Sequence, residues 1–500
     1  MNLKSNNNLR ALLENRTAEN AGKTFLFSEA DGRKWTYSEF NRAVNRAANM
    51  LAENGIVKGD AVSLLMPNSA EYIIAYFACF KLGALANPVN SLLKAEEIAF
   101  VVGNAEAKLL LFNSQFRETI ENISVPKTIE FDDETLTKKF AETLPEATIE
   151  KDDEAIIIYT SGTTGKPKGC LLTHGNLIAN ARQITEWLGF NENDRLLTVM
   201  PLFHMNAVSV TTMTALYASA STVVSPKFSA SKFWQIISDY KITSFGSVAT
   251  MLSMLLQKYP NGVPERLQTE RLRFAMCGSA PVPAEVLRKF EETFACLVIE
   301  GYGLSESTCR STFNPPSEER RAGSCGKPIG NEMKIFDEND REVGDGTLGE
   351  IVLRGENIFK GYFKNAEATR KAFTNGWFHT GDIGYRDADG FFYIADRKSD
   401  MIIRGGENIY PREIDELLYT HPAIESAAVI GVPDELYGEA VAAFVVLKKG
   451  KKASEEDLIN FCRAHLADYK CPTFMRFVED IPKGATGKLL KRELKKMVSG

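Results

Sequence analysis

Hydrophobic and polar positions alternate between helical and strand spacing over the first 390 or so residues. At 36–55, Thr36 and Glu39 form a predicted capping box, apolar residues recur at helical spacing behind it, and Gly55 is the expected stop. Strands that alternate with helices predict an α/β fold in which helices cover the sheets. Short apolar runs of strand character lie between the helical segments, at 61–65, 108–112 and 155–159.

The pattern changes at 397–400, a polar cluster between two apolar runs. Beyond it, Pro411 opens a predicted helix that ends before Pro422. A surface loop inside a single domain is the alternative to a domain boundary here. Two predicted strands (426–430 and 441–447) and a helix (455–466) follow. The predicted parts are a large domain (1–396), a hinge (397–402) and a small α+β domain (403–500).

The composition is that of an ordinary globular protein, with 44% hydrophobic and 25% charged residues over 500 positions. A formal net charge of −6 speaks against a general nucleic-acid binder. The longest apolar run, 72–80, is shorter than the roughly 20 residues of a membrane-spanning helix. The eight cysteines include no Cys-x-x-Cys pair, which disfavours a zinc site or a disulfide scaffold. We expect a soluble, cytoplasmic protein with no integral membrane association.

The strongest local signal is the glycine-rich segment 159–169. Its glycines permit close backbone approach and its lysines supply charge, so successive amides can form an anion-binding nest. The spacing is not that of a Walker A loop, and strand-like residues lie on both sides, whereas a Walker loop opens a helix. A solvated turn is the alternative. The candidate phosphate-binding residues are Thr160, Ser161, Gly162, Thr163, Thr164, Gly165, Lys166 and Lys168.

The segment 159–169 resembles the signature loop of the adenylate-forming superfamily, which contains acyl- and aryl-CoA synthetases, peptide-synthetase adenylation domains and luciferases. Over its length the chain is most similar to the branch of fatty-acyl- and carnitine-type CoA ligases. The resemblance implies a large N-terminal domain of α/β sheets with a distorted barrel, and a small mobile C-terminal domain. Further segments resemble the motifs of this superfamily in its order: 201–206, 278–281, 300–306, 377–382, 396–397 with 403–408, and 482–488.

The resemblance implies a reaction in two halves. A carboxylic acid attacks ATP to form acyl-AMP and pyrophosphate, and a thiol then attacks the acyl carbonyl. Glu306 is implied to hold Mg²⁺ with a hydroxyl of Thr164 or Thr163, and Asp382 and Arg397 are implied to contact ribose or phosphate. The adenine side is assigned to Gly278, Ser279, Ala280, Glu300, Gly301, Tyr302 and Gly303, and Ser305 stands where the family usually has threonine.

The small domain is implied to serve both halves. Lys488 bridges the carboxylate and the α-phosphate in the first half. A rotation about the hinge then replaces it with the loop that contains Gly405 and Gly406, which lines a tunnel for the thiol. Lys470 is the candidate to pair with a CoA phosphate. Ser399 stands at a hinge position where the family commonly has Asp or Lys, and this departure bears on the rotation.

The acyl pocket is predicted from the same resemblance. Members that activate amino acids use an acidic residue there, and the stretches 203–208 and 245–248 contain none. A free amino acid is disfavoured, because an unpaired buried ammonium would cost several kcal/mol. His204 is either a gate to the pocket or a core histidine. The assigned residues form an apolar lining, or equally plain core: His204, Met205, Val208, Gly246, Val248, Met251, Cys277 and Leu304.

We therefore expect an ATP-dependent acid–CoA ligase that acts on an apolar, fatty-acid-like acid. Its expected catalytic residues are Lys488, Glu306, Thr164 and His204. The expected partners are the acid, ATP with Mg²⁺, and coenzyme A, without nucleic acid, in a monomer or homodimer. The alternatives are an aryl acid–CoA ligase, a stand-alone enzyme that loads a carrier protein, a nucleotide-binding protein without turnover, and a luciferase-type oxygenase.

Overall fold

Helices separate most strands of the chain, as the alternating pattern predicts. The computed structural model describes residues 6–125, 127–132, 139–143, 145–160, 167–278, 282, 284–317, 319–483 and 489–498. The α-helices are α1 (Leu9–Asn20), α2 (Tyr37–Glu53), α3 (Ala70–Leu82), α4 (Ala95–Asn104), α5 (Arg117–Glu121), α6 (His174–Leu188), α7 (Thr214–Tyr217), α8 (Ala230–Asp239), α9 (Ala249–Lys258), α10 (Ala284–Phe294), α11 (Ala366–Ala372), α12 (Pro411–Tyr419), α13 (Glu455–Arg463) and α14 (Lys491–Val498). Short 3₁₀ helices lie at Ser114–Phe116, Ser305–Ser307 and Asp468–Lys470, and a π-helix spans Asn206–Met213. Within these ranges, no helix has both the length and the apolar character that crossing a membrane requires.

The strands are short, and most belong to one of four larger sheets. They are β1 (Thr24–Ser28), β2 (Lys34–Thr36), β3 (Ala61–Leu65), β4 (Leu85–Pro88), β5 (Leu109–Phe112), β6 (Thr128–Glu130), β7 (Glu154–Thr160), β8 (Lys168–Thr173), β9 (Arg195–Thr198), β10 (Ser221–Val224), β11 (Ser244–Ser247), β12 (Phe274–Cys277), β13 (Leu297–Glu300), β14 (Thr312–Phe313), β15 (Lys327–Pro328), β16 (Glu332–Phe336), β17 (Gly349–Arg354), β18 (Gly361–Tyr362), β19 (Phe373–Thr374), β20 (Trp377–Arg386), β21 (Phe392–Arg397), β22 (Ile402–Arg404), β23 (Glu407–Ile409), β24 (Ile424–Asp434), β25 (Gly438–Leu447) and β26 (Phe474–Phe477).

Two seven-stranded sheets form the centre of the N-terminal part. The first has the order β13-β12-β11-β9-β10-β1-β2, and only its β1–β2 pair is antiparallel among these strands. The second has the order β18-β8-β7-β4-β3-β5-β6, and β8 pairs antiparallel with both of its neighbours. Because parallel strands end at the same edge of a sheet, the segments after β11, β12 and β13 meet there.

Two smaller sheets follow along the chain. The strands β16, β17, β19, β20 and β21 form an antiparallel sheet. The last sheet has the order β23-β22-β25-β24, with β26 parallel to β25. The buried apolar clusters of the N-terminal part lie within 9–392, whereas separate clusters fill 402–494. The structure is thus α/β with a small C-terminal α+β unit, and the predicted fold class is confirmed.

Local signals account for several element boundaries. Thr36 Oγ1 accepts a hydrogen bond from the Glu39 amide at 3.2 Å, and the Glu39 carboxylate accepts one from the Thr36 amide at 2.8 Å. The predicted capping box at the start of α2 is therefore formed. Pro411 is the first residue of α12, as predicted. The predicted strand 426–430 extends at both ends in β24, because the added residues pair with β25.

Candidate active site

The glycine-rich segment connects two antiparallel strands, β7 and β8. A strand rather than a helix follows it, as the sequence predicts. Thr160 ends β7 directly opposite Lys168, the first residue of β8. A Cβ added at Gly169 would lie 2.9 Å from the Ile157 side chain, so the hairpin leaves no room for a side chain there. Ser161, Gly162, Thr163, Thr164, Gly165 and Lys166 lie outside the described residues.

Asp382 joins two other predicted site residues. It lies in β20, opposite Arg397 at the end of β21. The Tyr302 hydroxyl donates a hydrogen bond of 2.6 Å to the Asp382 carboxylate, and Arg397 Nε lies 3.6 Å from its other oxygen. Burial raises the pKa of the Tyr302 hydroxyl well above its ordinary value. The hydroxyl therefore remains a donor at neutral pH, and it holds the carboxylate in place.

Glu306 lies in the 3₁₀ helix Ser305–Ser307 and has a partner that the motifs do not indicate. The Tyr362 hydroxyl donates a hydrogen bond of 2.9 Å to Glu306 Oε1. Burial raises the pKa of Glu306, while this hydrogen bond and the charge of Arg397 act in the opposite direction. The Lys168 ammonium lies 5.2 Å from the centre of the Tyr362 ring, a cation–π contact. Tyr362 thus connects the phosphate-loop hairpin to the predicted metal ligand.

Glu300, the last residue of β13, is a buried carboxylate. Burial raises its pKa to about 8, although the Gly323 amide donates a hydrogen bond of 3.1 Å to it. Glu300 is therefore mostly protonated at neutral pH. The following segment is packed closely, since a Cβ at Gly303 would lie 2.0 Å from the Cys309 carbonyl oxygen. The other adenine-side candidates are Gly278 after β12 and Gly301 after β13, whereas Ser279 and Ala280 lie outside the described residues.

The π-helix packs on α6, β9 and β11 and brings unpartnered polar atoms to the predicted acyl pocket. Among the described residues, no hydrogen-bond partner exists for buried His204 Nε2 or for Oδ1 and Nδ2 of Asn206. Asn206 Oδ1 lies 2.7 Å from where a Cβ of Gly246 would be. Burial lowers the pKa of His204 to about 4, so its ring is neutral at pH 7. Met205, Val208, Gly246, Val248, Met251 and Cys277 are buried, and Leu304 is half-buried.

Arg310, which no sequence pattern singles out, lies beside the same strand ends. It is 1% exposed, and its Nε and Nη2 atoms have no hydrogen-bond partner among the described residues. Nη2 would lie 2.7 Å from a Cβ at Gly278. Burial raises the pKa of the Cys277 thiol to about 12, and the charge of Arg310 acts in the opposite direction. The one sequence feature that could have drawn attention to Arg310 is that it is the sole charged residue in the run 307–314.

The predicted CoA-side residues lie in the C-terminal part of the chain, where Lys470 ends the 3₁₀ helix Asp468–Lys470. Gly405 and Gly406 form the turn between β22 and β23, with φ of 59° and 90°. These left-handed values favour glycine. Lys470 Nζ lies 2.7 Å from the Glu413 carboxylate, so this predicted CoA cation has a partner within its own unit. Lys488, the predicted catalytic lysine, lies outside the described residues.

Two models of known protein families match this chain. A family model described as AMP-binding enzyme matches residues 13–363. The chain belongs to the AMP-binding enzyme family. A second model, described as AMP-binding enzyme C-terminal domain, matches residues 413–488. The predicted resemblance to the adenylate-forming superfamily is therefore confirmed.

The relatives of this AMP-binding enzyme include CoA ligases named for chemically different acids. Sulfoacetate–CoA ligase of Cupriavidus necator is 35% identical over 97% of each chain. Long-chain-fatty-acid–CoA ligase FadD13 of Mycobacterium tuberculosis is 36% identical over 93% of each chain. MatB from Rhodopseudomonas palustris has TM-scores of 0.92 in its ATP-bound form and 0.80 in its apo form, at 30% and 31% identity and 98% coverage of each chain. This chain is therefore closer in shape to the ATP-bound form.

Proposed function

We propose that this AMP-binding enzyme is an ATP-dependent acid–CoA ligase. It joins a carboxylic acid to AMP with release of pyrophosphate, and it then transfers the acyl group to the thiol of coenzyme A. The observation that carries the proposal is the contact between Asp382, Tyr302 and Arg397 beside the half-buried carboxylate of Glu306. The full-length similarity to CoA ligases supports it.

The main obstacle in the first half-reaction is electrostatic, since a carboxylate must approach a polyphosphate. Two unit charges 4 Å apart repel by roughly 4 kcal/mol at an effective dielectric constant of 20. Positive groups and oriented donors must therefore meet at the α-phosphate as charge develops there. We assign this role to Lys488 of the small domain, together with the donors of the glycine-rich segment and Lys168.

The residues present fit a magnesium ion. Burial raises the pKa of the half-buried Glu306 carboxylate, so a cation beside it would stabilise its charged form. No group of three or more His, Cys, Asp or Glu side chains in the described part of the chain could hold a metal. This agrees with Mg²⁺, which proteins commonly hold with one or two carboxylates and substrate phosphates. When bound by Glu306 and Thr164 or Thr163, the ion neutralises part of the phosphate charge.

The nucleoside side of ATP is assigned to Asp382 and the Tyr302 segment. A carboxylate has the acceptor atoms for two ribose hydroxyls. The Asp382 carboxylate is oriented by its contacts with Tyr302 and Arg397. Because its hydroxyl is held by Asp382, the Tyr302 ring is fixed and presents an aromatic face for adenine. Neither Gly301 nor Gly303 has room for a side chain, because the Phe313 ring and the Cys309 backbone occupy that space.

The second half-reaction is assigned to a rotation of the small domain. We place the boundary of the large domain at 396, the hinge at 397–402 and the small domain at 403–500. The separate apolar clusters on the two sides support this division. The Gly405–Gly406 turn would then line the path of the thiol, with Lys470 beside the CoA phosphates. Ser399, whose hydroxyl lies 3.4 Å from Asp400 Oδ1, is the uncharged polar residue within the hinge.

The proposed setting is the reducing cytoplasm. All eight cysteines belong to the described residues, and all are free thiols. Disulfides rarely form in reducing compartments. We propose that the enzyme works as a monomer or homodimer, with the acid, ATP and coenzyme A as its partners and without nucleic acid.

Pyrophosphate release tests the proposal. The protein is incubated with ATP, Mg²⁺ and a panel of aliphatic, aromatic and short-chain acids, with and without CoA. We expect acid-dependent pyrophosphate release and a CoA thioester with at least one acid. Release without thioester, but with acylation of a phosphopantetheinyl carrier protein, would show a carrier-loading enzyme instead. No acid-dependent release with any member of the panel would contradict the proposal.

Two variants separate the half-reactions. We expect Lys488→Ala to abolish adenylate formation but to convert supplied acyl-AMP and CoA into thioester almost as the wild type does. Gly406→Trp should form the adenylate and lose the thioester step, because its side chain would enter the proposed path of the thiol. Equal loss of both steps in either variant would refute this division of roles.

A further inference from the structure

We propose that the acid activated by this enzyme carries a second anionic group, a carboxylate or a sulfonate, and that the guanidinium of Arg310 binds this group. The inference rests on the proposed function, because it identifies the acid of that same reaction. It adds one charged, substrate-binding residue to a pocket that the sequence predicts to be apolar.

Arg310 has the burial of a core residue and the charge of a surface residue. It is 1% exposed, yet Nε and Nη2 have no hydrogen-bond partner among the described residues. Nη1 is 3.5 Å from the carbonyl oxygen of its own neighbour, Cys309, which is the limit of a weak contact. A guanidinium remains charged at neutral pH. A buried charge without a partner is costly, so this one indicates a partner that is supplied from outside the chain.

The backbone around Arg310 is held firmly, so the direction of its side chain is set by the fold. Asn180 of α6 accepts a hydrogen bond from the Arg310 amide at 3.3 Å and donates one to its carbonyl oxygen at 2.7 Å. Asn357 donates a further one to the same oxygen at 3.3 Å. Thr308, at the preceding turn, has φ of 66°, rare for a β-branched residue, and its hydroxyl donates to the Asn357 carbonyl oxygen at 2.7 Å.

The guanidinium lies beside Cys277, a predicted acyl-pocket residue, and beside Gly278, an adenine-side candidate that follows it in the chain. It occupies the space over Gly278, since both Nη2 and Cζ would be within 3.0 Å of a Cβ there, at 2.7 and 2.9 Å. Its charge acts on the thiol of Cys277, one of the predicted pocket residues. Asn180, which holds the Arg310 backbone, also accepts a hydrogen bond of 2.9 Å from Ser209 of the π-helix. One residue thus connects Arg310 to the element that carries unpartnered Asn206.

Glu300, whose charge also acts on the Cys277 thiol, does not neutralise Arg310. Burial raises the pKa of Glu300 to about 8, which leaves that group mostly protonated at neutral pH. The Phe313 ring lies 5.4 Å from Arg310 Cζ and offers a cation–π contact, which supports the charge without satisfying its donors. The planar fork of donors in a guanidinium matches the two oxygens of a carboxylate or sulfonate. An anionic end of the acid would therefore complete the site.

The test compares matched acids that differ in the distal group alone. Butanoate, succinate and 3-sulfopropanoate form one set, and pentanoate, glutarate and 4-sulfobutanoate form another. For the wild type we expect kcat/KM in acid-dependent pyrophosphate release to be about 100-fold higher with a distal anion than with a methyl group. Comparison of the carboxylate and sulfonate members shows which anion the site prefers. Equal kcat/KM for all three members of both sets would overturn the inference.

Substitutions of Arg310 test whether this residue causes the preference for acids with a distal anion. Arg310→Met should remove the preference for a distal anion, whereas Arg310→Lys should keep part of it. Arg195→Met is the matched control. Arg195 is the first residue of β9, whereas Arg310 lies beside the ends of β12 and β13 in the sheet that contains β9. The preference should survive in that variant. If Arg310→Met reduced turnover of all acids equally and also weakened ATP binding, the guanidinium would serve the nucleotide, and the inference would be wrong.

A binding measurement separates this inference from the proposed function. Without ATP, succinate or 3-sulfopropanoate should raise the unfolding temperature of the wild type but not that of Arg310→Met, and butanoate should raise neither. Such a shift together with no thioester would refute the ligase proposal alone. Thioester formation with butanoate and succinate at equal rates, without the shift, would refute the second anion alone. If Arg310→Met fails to fold, the same comparison is made with Arg310→Lys, in which the shift should be smaller than in the wild type.

Discussion

The two sides of the candidate site differ in how their polar groups are satisfied. On the nucleotide side, Tyr302 donates to Asp382 and Tyr362 donates to Glu306, so the carboxylates are oriented without a ligand. On the acyl side, several buried atoms have no hydrogen-bond partner among the described residues. They are His204 Nε2, Asn206 Oδ1 and Nδ2, and Arg310 Nε and Nη2.

We attribute the difference to what each side is proposed to bind. ATP is the same in every turnover and in every enzyme of this chemistry, so a network completed within the protein holds its contacts ready. The acid differs from enzyme to enzyme, and polar groups that await it are satisfied only when the correct acid is bound. Substitutions on the nucleotide side should therefore affect all acids alike, whereas substitutions on the acyl side should change the order of preference among them.

The largest expected effect is that of Glu306→Gln on the nucleotide side. It removes the charge that we propose holds Mg²⁺ near the phosphates, and we expect adenylate formation to fall by about 1000-fold or more with every acid. Pyrophosphate release at saturating Mg²⁺ measures this. Tyr362→Phe, which removes one hydrogen bond to Glu306, is the matched control and should cost about tenfold. A loss of adenylate formation with only some acids would contradict the proposed division between the nucleotide side and the acyl side.

The next effect is on stability and its pH dependence. The raised pKa of Glu300, about 8, means that the folded state retains a proton which the unfolded state loses near pH 4. The free energy of unfolding should therefore fall as pH rises from about 5 to 8, by up to about 1.4 kcal/mol per pH unit from this group. Glu300→Gln should be more stable than the wild type at pH 8, and this advantage should shrink towards pH 5 in urea unfolding. A constant difference across this range would show that Glu300 does not titrate as inferred.

A smaller effect is expected at Asp382, the proposed ribose contact. Asp382→Asn keeps the shape of the side chain but loses its charge and one acceptor, so the KM for ATP should rise by about 10- to 100-fold. The relative kcat/KM values for different acids should stay unchanged. Steady-state kinetics with two acids measure both quantities. A changed preference between those acids would mean that Asp382 also serves the acyl side.

The smallest effect is expected on the acyl side. Asn206→Leu replaces an unpartnered buried amide with an apolar group of similar size, so the free energy of unfolding should rise by about 1 kcal/mol. The same change should lower kcat/KM for acids with a distal polar group, by up to about tenfold, and leave the KM for ATP unchanged. Thermal unfolding and kinetics check the two parts. A loss of stability would show that Asn206 has a structural role instead.

Much of the fold could be predicted because its signals are local. The capping box at Thr36 and the proline at 411 each fix a helix start through contacts within one turn. The run 61–65 coincides with β3, because a strand buried on both faces reads as a continuous apolar segment. The π-helix at Asn206–Met213 could not be predicted, since its wider turns depend on packing rather than on a sequence period.

The candidate site shows the same division. Glu306 and Asp382 belong to motifs, and the sequence could name them without knowing their partners. Tyr362 could not be named, because its contact with Glu306 joins positions that are distant in the chain. Arg310 was missed for another reason: burial without a partner is a property of the folded state, and an isolated arginine in a sequence reads as a surface charge.

The π-helix has one further consequence, which concerns the length of the chain rather than its composition. A π turn accommodates an extra residue relative to an α turn. Deleting a single residue from Asn206–Met213 would allow an ordinary α-helix, in which the positions after the wide turn keep their orientation and the side chains within it are rearranged. A new set of side chains would then face α6, β9 and β11, while the contacts of Glu306 and Asp382 would stay as they are. A change of one codon could thus reshape what the enzyme accepts without disturbing how it uses ATP.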